Sequence, residues 1–401
     1  MGPPNHTVLA GACASLICTI ALSQPLGLPP VPVPSDNPQT PEKIALGDKL
    51  FNDKRFSSTG EVSCSKCHDP TKVFTDSPLV TSEGINKLTG TRNSPTVINS
   101  AYFSRLFWDG RSPSLEDQAQ HPIINPVEMG LIDHVPVLRI VRSDPDYIAA
   151  FKTVFGKEGQ QVTMREVQQA IASFERTLVS GDSPFDEWYY GKRQDAISAQ
   201  ARRGFDVFLN KGRCVSCHTI EQDYALFTDN RFHNIGVGVN RIQSDIPTLV
   251  PVFLKANATL EEVDKAVLSN PKVSELGRFA VTDALDEIGA FKTSTLRNVA
   301  VTAPFMHDGS LKTLRDVVDH YNNGGITRKT DPVNDFLSGG IRPLELTDDE
   351  ISDLVAFMET LTSPQFAAQK AASLNSASCD VSTTSMAAAA SPMRTTEGAA
   401  Q

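Results

Sequence analysis

Two short runs, "CSKCH" at residues 64–68 and "CVSCH" at residues 214–218, have the spacing that could do the most distinctive chemistry in this chain. Each is Cys-x-x-Cys-His. Two thiols so spaced can form thioethers to the vinyl groups of one haem, and the adjoining histidine can then reach the iron. Cys64, Cys67 and His68 form one candidate haem c site; Cys214, Cys217 and His218 form a second. The competing reading is zinc held by two Cys-x-x-Cys knuckles. It explains neither the histidine after both pairs nor an export signal at the N-terminus. Of the seven cysteines, Cys13 and Cys18 lie in that leader and Cys379 lies in a Ser/Ala-rich tail, so the two pairs are complete.

A haem iron needs a sixth ligand or an open face, and that choice separates electron carriers from enzymes. The other histidines beyond the leader are His121, His134, His233, His307 and His320, and none lies between His68 and Asn93. Tyr321, in "VVDHYNNGG", is a further candidate. Thr313 and Asp316 are placed to start a helix, and Asn322-Asn323-Gly324-Gly325 to stop it. Leu314, Val317, Val318 and Tyr321 share its apolar face, so Tyr321 is either the last core residue there or an oxygen ligand.

Three further helices are predicted: after the Thr40 cap, from a Thr163/Glu166 capping box, and from a Thr347/Glu350 capping box. No series of alternating strand patterns appears, so the chain reads as mainly α. A weak repeat joins its halves. Gly47-Asp-Lys-Leu-Phe51 precedes the first motif, and Gly204-Phe-Asp-Val-Phe208 precedes the second. Two related domains meeting near residues 190–200 account for this. Residues 8–22 are apolar but short for a membrane span, and Ala21-Leu22-Ser23 resembles a cleavage site. Residues 1–23 therefore read as a signal peptide for export to the periplasm, with a short membrane anchor as the rival. Residues 24–39 read as an extended Pro-rich linker and 366–401 as a disordered tail. The formal charge of −10 argues against nucleic acid or an anionic membrane as partner and leaves room for a basic protein.

With "CSKCHDP", "TRNSPTVIN", "FWDGRSPSLEDQ", "PVEMG", "CVSCH", "FTDNRFHNIGVG", "TLRNVAVTAPFMHDGSLKTL" and "DHYNNGG" in this order, the chain resembles the bacterial dihaem cytochrome c peroxidase family, which has a MauG branch. The resemblance runs over about residues 40–362. It implies two cytochrome-c-like helical domains, here 40–195 and 196–365, each holding one covalent haem c, with one calcium ion between them. Hydrogen peroxide then meets haem 1 and electrons pass through haem 2. The resemblance makes Trp108 the bridge between the haems, and Gln118 and Glu128 the polar residues over the open face of haem 1. A carboxyl there can carry a proton from the inner to the outer peroxide oxygen. Asn93 and the carbonyls of Thr302 and Pro304 match the calcium ligands, oxygen donors that suit a hard cation.

Three departures refine the expectation. Typical family peroxidases carry a blocking histidine in the loop after the first motif, and residues 69–92 contain none. They place a methionine on haem 2 where this chain has Tyr321, as the MauG branch does; Met306 is the rival ligand. Gly212 stands where that branch uses a surface tryptophan to oxidise its protein substrate, which leaves Trp188, Tyr189 and Tyr190 as other candidate exits. A segment of about forty residues after Gly236 also looks inserted, either to shape a partner site or to cover the core. The expected activity is peroxide reduction fed by a small cytochrome c or copper protein. Oxidation of aromatic residues in a partner protein is the second reading, and a non-enzymatic two-haem electron carrier the third.

Overall fold

The computed structural model describes residues 24–326 and 334–370. The expected leader and residues 371–401 of the expected tail lie outside the described residues, whereas Phe366, at the start of that tail, is ordered and buried with Val73, Ile98 and Val301. Helices dominate. The one sheet among the described residues pairs Phe232–His233 antiparallel with Phe291–Lys292.

Local signals start the helices where the sequence places them. Thr40 accepts from Lys43 N at the head of Pro41–Phe51. Reciprocal capping boxes open Met164–Glu175, Leu314–Asn322 and Asp348–Glu359. Each box satisfies backbone N–H groups that a helix start otherwise leaves unpaired.

The two halves of the repeat use glycine for one purpose. A Cβ on Gly47 would lie 1.9 Å from the Ala170 carbonyl oxygen, and one on Gly204 would lie 1.9 Å from that of Asp353. Pro41–Phe51 therefore crosses Met164–Glu175 backbone to backbone, and Ala199–Leu209 crosses Asp348–Glu359 in the same way. Around the first crossing, Leu46, Leu50, Phe51, Val167 and Ile171 form one core. Phe205, Phe208, Leu354 and Phe357 form another around the second. Phe185 belongs to that second core, ten residues ahead of the 195/196 boundary expected from sequence.

The segment after Gly236 forms Val239–Ile242, Ile246–Ala256, Leu260–Ser269 and Pro271–Ser274. Its Val239, Ile246, Val263 and Val267 make a third core, against which Val127 packs. The insertion is thus a wall beside Glu128.

Residues 24–39 carry no helix or strand, yet they pack as a strap rather than hang as a linker. Arg297 is buried and salt-bridged to Asp186 at 2.9 Å, and it also donates to the Gly27 carbonyl. Gly27 has φ +80, and a Cβ there would sit 1.9 Å from Asp186 Oδ1. At the other end Asn37 is fully buried, donating to Glu116 at 2.7 Å and to the Gln169 carbonyl at 2.9 Å. Buried polar groups need such partners, and supplying them fixes the strap to both halves.

Candidate dihaem site

Both Cys-x-x-Cys-His turns line one cavity of about 660 Å³. Cys64–Cys67 is a single α turn and Cys214–Ser216 a single 3-10 turn. All four thiols are free. Burial pushes the Cys67 and Cys214 thiols up to about 12 and raises Cys64 as well. Zinc needs thiolates converging on one point. Among the described residues, no cluster of metal-ligating atoms combines the two pairs. Two separate pairs, of which Cys217 also lies near Asp229 and His233, fit thioether attachment to two haems instead.

The histidines fit too. His68 Nδ1 meets the Phe74 carbonyl at 3.2 Å, and His218 Nδ1 meets the Phe227 carbonyl at 2.8 Å. This leaves Nε2 of each ring for iron, with the hydrogen bond fixing the ring's orientation. Burial lowers both pKa values, His68 to about 4, so both imidazoles are neutral and ready to ligate at pH 7. Phe74 and Phe227 have φ 54 and 51, a left-handed conformation strained for phenylalanine. The same device thus aims a carbonyl at both rings, and neither carbonyl was legible in the sequence.

Trp108, Gln118, Glu128, Asn93, Thr302, Pro304, Met306 and Tyr321 all line this cavity. Trp108 Nε1 donates to the Asn93 carbonyl at 2.8 Å, and its ring meets His307 edge-on at 6.5 Å. Asn93 Nδ2 faces the Val80 carbonyl at 3.1 Å and the Leu79 carbonyl at 3.3 Å. Leu314, Val317, Val318 and Tyr321 share the cavity face of their helix. Burial, with the nearby Cys214 and Cys217, raises the Tyr321 phenol's pKa. His320 points away and meets the Ile235 carbonyl at 2.8 Å. The cavity's other histidines are paired: His233 with Asp229 at 2.7 Å and His307 with Glu275 at 2.9 Å. Ser82, Gly84 and Gly90 bring the 69–92 loop to the cavity.

Glu128 Oε2 is shut off from solvent and has no hydrogen-bond partner. Burial pushes its pKa up to about 8, helped by Asp264 and opposed by Arg111. It is therefore a carboxyl that can exchange a proton near neutral pH. Asp264 comes from the inserted segment, and its Oδ1 lies 2.7 Å from Arg111 Nε.

Sequence reasoning missed Lys292 and Glu175, both in the cavity wall. Lys292 Nζ donates to the Arg105 carbonyl at 3.2 Å and sits 4.0 Å from the Phe103 ring centroid; burial lowers its pKa to about 7. A cation there suits a haem propionate. Glu175 follows Ile171 by four residues, so an acid on the apolar stripe was the signal available. Trp188, Tyr189 and Tyr190 lie outside this cavity, packed around Phe185.

A helical protein that sets two such turns into one cavity, beside a buried carboxyl whose pKa burial raises, has the parts of a two-haem c-type oxidoreductase. Comparison with known proteins gives the family. The family described as "Di-haem cytochrome c peroxidase" matches residues 41–194. The methylamine utilization protein MauG of Methylorubrum extorquens is 39% identical over 82% of this chain and 81% of its own length. The cytochrome-c peroxidase IdrP1 of Denitromonas iodatirespirans is 38% identical over 90% of this chain and 94% of its own. A solved MauG-like protein associated with microbial copper homeostasis superposes with TM-score 0.68 at 30% identity, covering 86% of this chain and 95% of that one. The chain belongs to the dihaem cytochrome c peroxidase family. It is an oxidoreductase that acts on peroxide and carries haem c.

Proposed function

We propose that this enzyme is an exported peroxidase whose haem 1 is open to hydrogen peroxide without prior reduction, and whose haem 2 is bound by His218 and Tyr321. The observation that carries the reading is the buried carboxyl of Glu128 in the wall of the haem cavity, whose Oε2 has no hydrogen-bond partner. When bound, the haems supply the redox chemistry and the site where peroxide docks. The chain does the rest. His68 and His218 would hold the irons through rings anchored at Nδ1. Glu128, once ionised, accepts the proton of the inner peroxide oxygen and returns it to the outer one, which leaves as water. Gln118 would orient the peroxide by hydrogen bonding, and Trp108, in the wall of the shared cavity, would carry electrons between the haems. Support for an open haem 1 is twofold. Residues 69–92 contain no histidine, and the cavity histidines other than His68 and His218 have carboxylate partners.

Calcium is a further part of the reading. Asn93, Thr302 and Pro304 all line the cavity that also holds both haem motifs. Their oxygens, with water, would suit the ion. The electron donor is a small cytochrome c or copper protein in the periplasm. No described helix is long and apolar enough to cross a membrane.

Oxidation of a partner protein is the second reading, because a relative at 39% identity is named MauG. Gly212 weighs against that route at its position. A Cβ there would lie 2.8 Å from the Val207 carbonyl and 3.3 Å from Cys214 Sγ, so a side chain at 212 would have to push the Val207 backbone aside. A simple electron carrier would have no use for Glu128. A steady-state assay with hydrogen peroxide and reduced cytochrome c or copper protein tests the first reading. Turnover with neither donor, together with covalent change in a partner's aromatic residues, would favour the second.

A further inference from the structure

The site uses one buried carboxyl and leaves a second unexplained. Glu175 ends the Met164–Glu175 helix, is 5% exposed, and lines the haem cavity. Its Oε2 has no hydrogen-bond partner. Burial outweighs the neighbouring Arg176 and pushes its pKa up to about 8. It lies close enough to Cys64 to raise that thiol's pKa, which places it beside haem 1.

A cleft of about 430 Å³ runs beneath the strap, between Pro32, Val33 and Pro34 on one side and Ser100, Ser104, Ser114 and Arg176 on the other. Ser100, Phe103 and Leu115 line both this cleft and the haem cavity. Two more buried polar atoms lack partners here, Ser100 Oγ and Arg176 Nη1. Arg176 is otherwise held by Glu116 at 2.7 Å. Unpaired polar atoms in a cleft are anchors for water, and a water chain between carboxyls carries protons.

We propose that the cleft beneath the N-terminal strap is the proton entry to haem 1, with Glu175 as the carrier at its inner end. This rests on the peroxidase reading. Reduction of one peroxide to two waters takes two electrons and two protons. Glu128 only moves a proton already on the peroxide, which releases the first water. The second oxygen needs two protons from outside as two electrons arrive from the donor. Glu175 delivers them and is recharged through the cleft. The charged groups facing it are Arg176 beside it, Glu116 on Leu115–Gln118 and Cys64; Lys43 on Pro41–Phe51 faces Arg176 and Glu116.

The test uses the holoenzyme, with haem content confirmed for each variant. Infrared difference spectra of the resting protein across neutral pH should show two titrating carboxyl C=O components, one lost in Glu175→Gln and the other lost in Glu128→Gln. In kinetics, Glu175→Gln should lower kcat on the order of 10²-fold, with the single-turnover rate with peroxide nearly unchanged; Glu128→Gln should lower that rate itself. Ser104→Trp, at an exposed lip of the cleft, should lower kcat in the same selective way, with no further loss in the double variant. The proposal is overturned if Glu175→Gln loses no titrating carboxyl component, if the two rates fall together, or if Ser104→Trp leaves kcat intact. A wild-type protein that fails to react with peroxide would instead remove the peroxidase reading beneath it.

Discussion

Arg111 Nε lies 2.7 Å from Asp264 Oδ1, and both side chains are 3% exposed. The pair joins the FWDGR motif to a helix of the inserted segment. Asn125 Nδ2 bonds the other Asp264 oxygen at 3.2 Å. Asp109 also pairs with Arg111 at 3.0 Å and with Arg92 at 2.6 Å. Glu128 lies in the field of this network. Asp264 pushes its pKa up and Arg111 pulls it down.

That arrangement makes Asp264 adjustable. Asp264→Asn removes the like charge and leaves Arg111 freer to attract Glu128, so the Glu128 pKa should fall. The pH limb of the peroxide reaction should then move to lower pH. Asp264→Ala should also cost about 1–3 kcal/mol of stability, because it leaves the buried Nε of Arg111 without its acceptor while Asp109 still pairs with Nη1. Stopped-flow pH profiles and denaturant melts measure the two effects.

Glu128→Gln keeps the shape and loses the transferable proton. Reaction with peroxide should slow roughly 10²-fold or more. In the wild type, Glu128 must be ionised to accept the first proton. With its pKa near 8, the rate should rise as pH rises towards 8 and then level. The amide variant should have no such limb. An unchanged rate would make Glu128 scaffolding.

Burial of Glu128 and Glu175 also sets a pH dependence of stability. Both pKa values are raised from 4.5 to about 8. Between those values the unfolded chain binds fewer protons than the folded one, so stability falls as pH rises through that window. The Glu175→Gln variant should lose less of its Tm between pH 5 and pH 8 than the wild type, as roughly sized by a raised buried carboxyl. Calorimetry of the haem-loaded protein at the two pH values would read this directly.

If Tyr321 ligates haem 2, Tyr321→Phe removes the oxygen and preserves the helix packing. The low-spin ferric signal of the resting enzyme should change, as read by electron paramagnetic resonance. A phenolate favours the ferric state over the ferrous, so the haem 2 reduction potential should rise in the variant. If neither signal nor potential moves, Met306 becomes the ligand to test. Two low-spin irons in the wild type would instead mean that haem 1 is blocked.

The helix crossings offer a check on the fold. Gly204→Ala places a Cβ against the Asp353 carbonyl and should cost about 1–3 kcal/mol or more by forcing the helices apart. Gly47→Ala should do the same beside haem 1. Pyridine haemochrome spectra should show two c-type haems per chain in the wild type, and urea melts should rank both variants below it.

Local chemistry in the sequence determined a good deal about this protein. Cys-x-x-Cys-His states how a haem attaches, Thr-x-x-Glu states where a helix begins, and the ordered motifs gave the family. The Tyr321 face of its helix was legible because a period of 3.6 fixes which side chains stand together. Tertiary structure alone decided what depends on contacts between distant residues. Glu128 owes its raised pKa to burial and to Asp264, 136 residues further on. Both histidines are oriented by carbonyls whose residues lie in strained loops. The Pro-rich stretch resembled a linker because composition reports chain stiffness. Its role as a strap comes from the partners that Arg297, Glu116 and Gln169 provide. The inserted helices carried no motif, so their part in the site became visible only when packing brought Asp264 to Arg111.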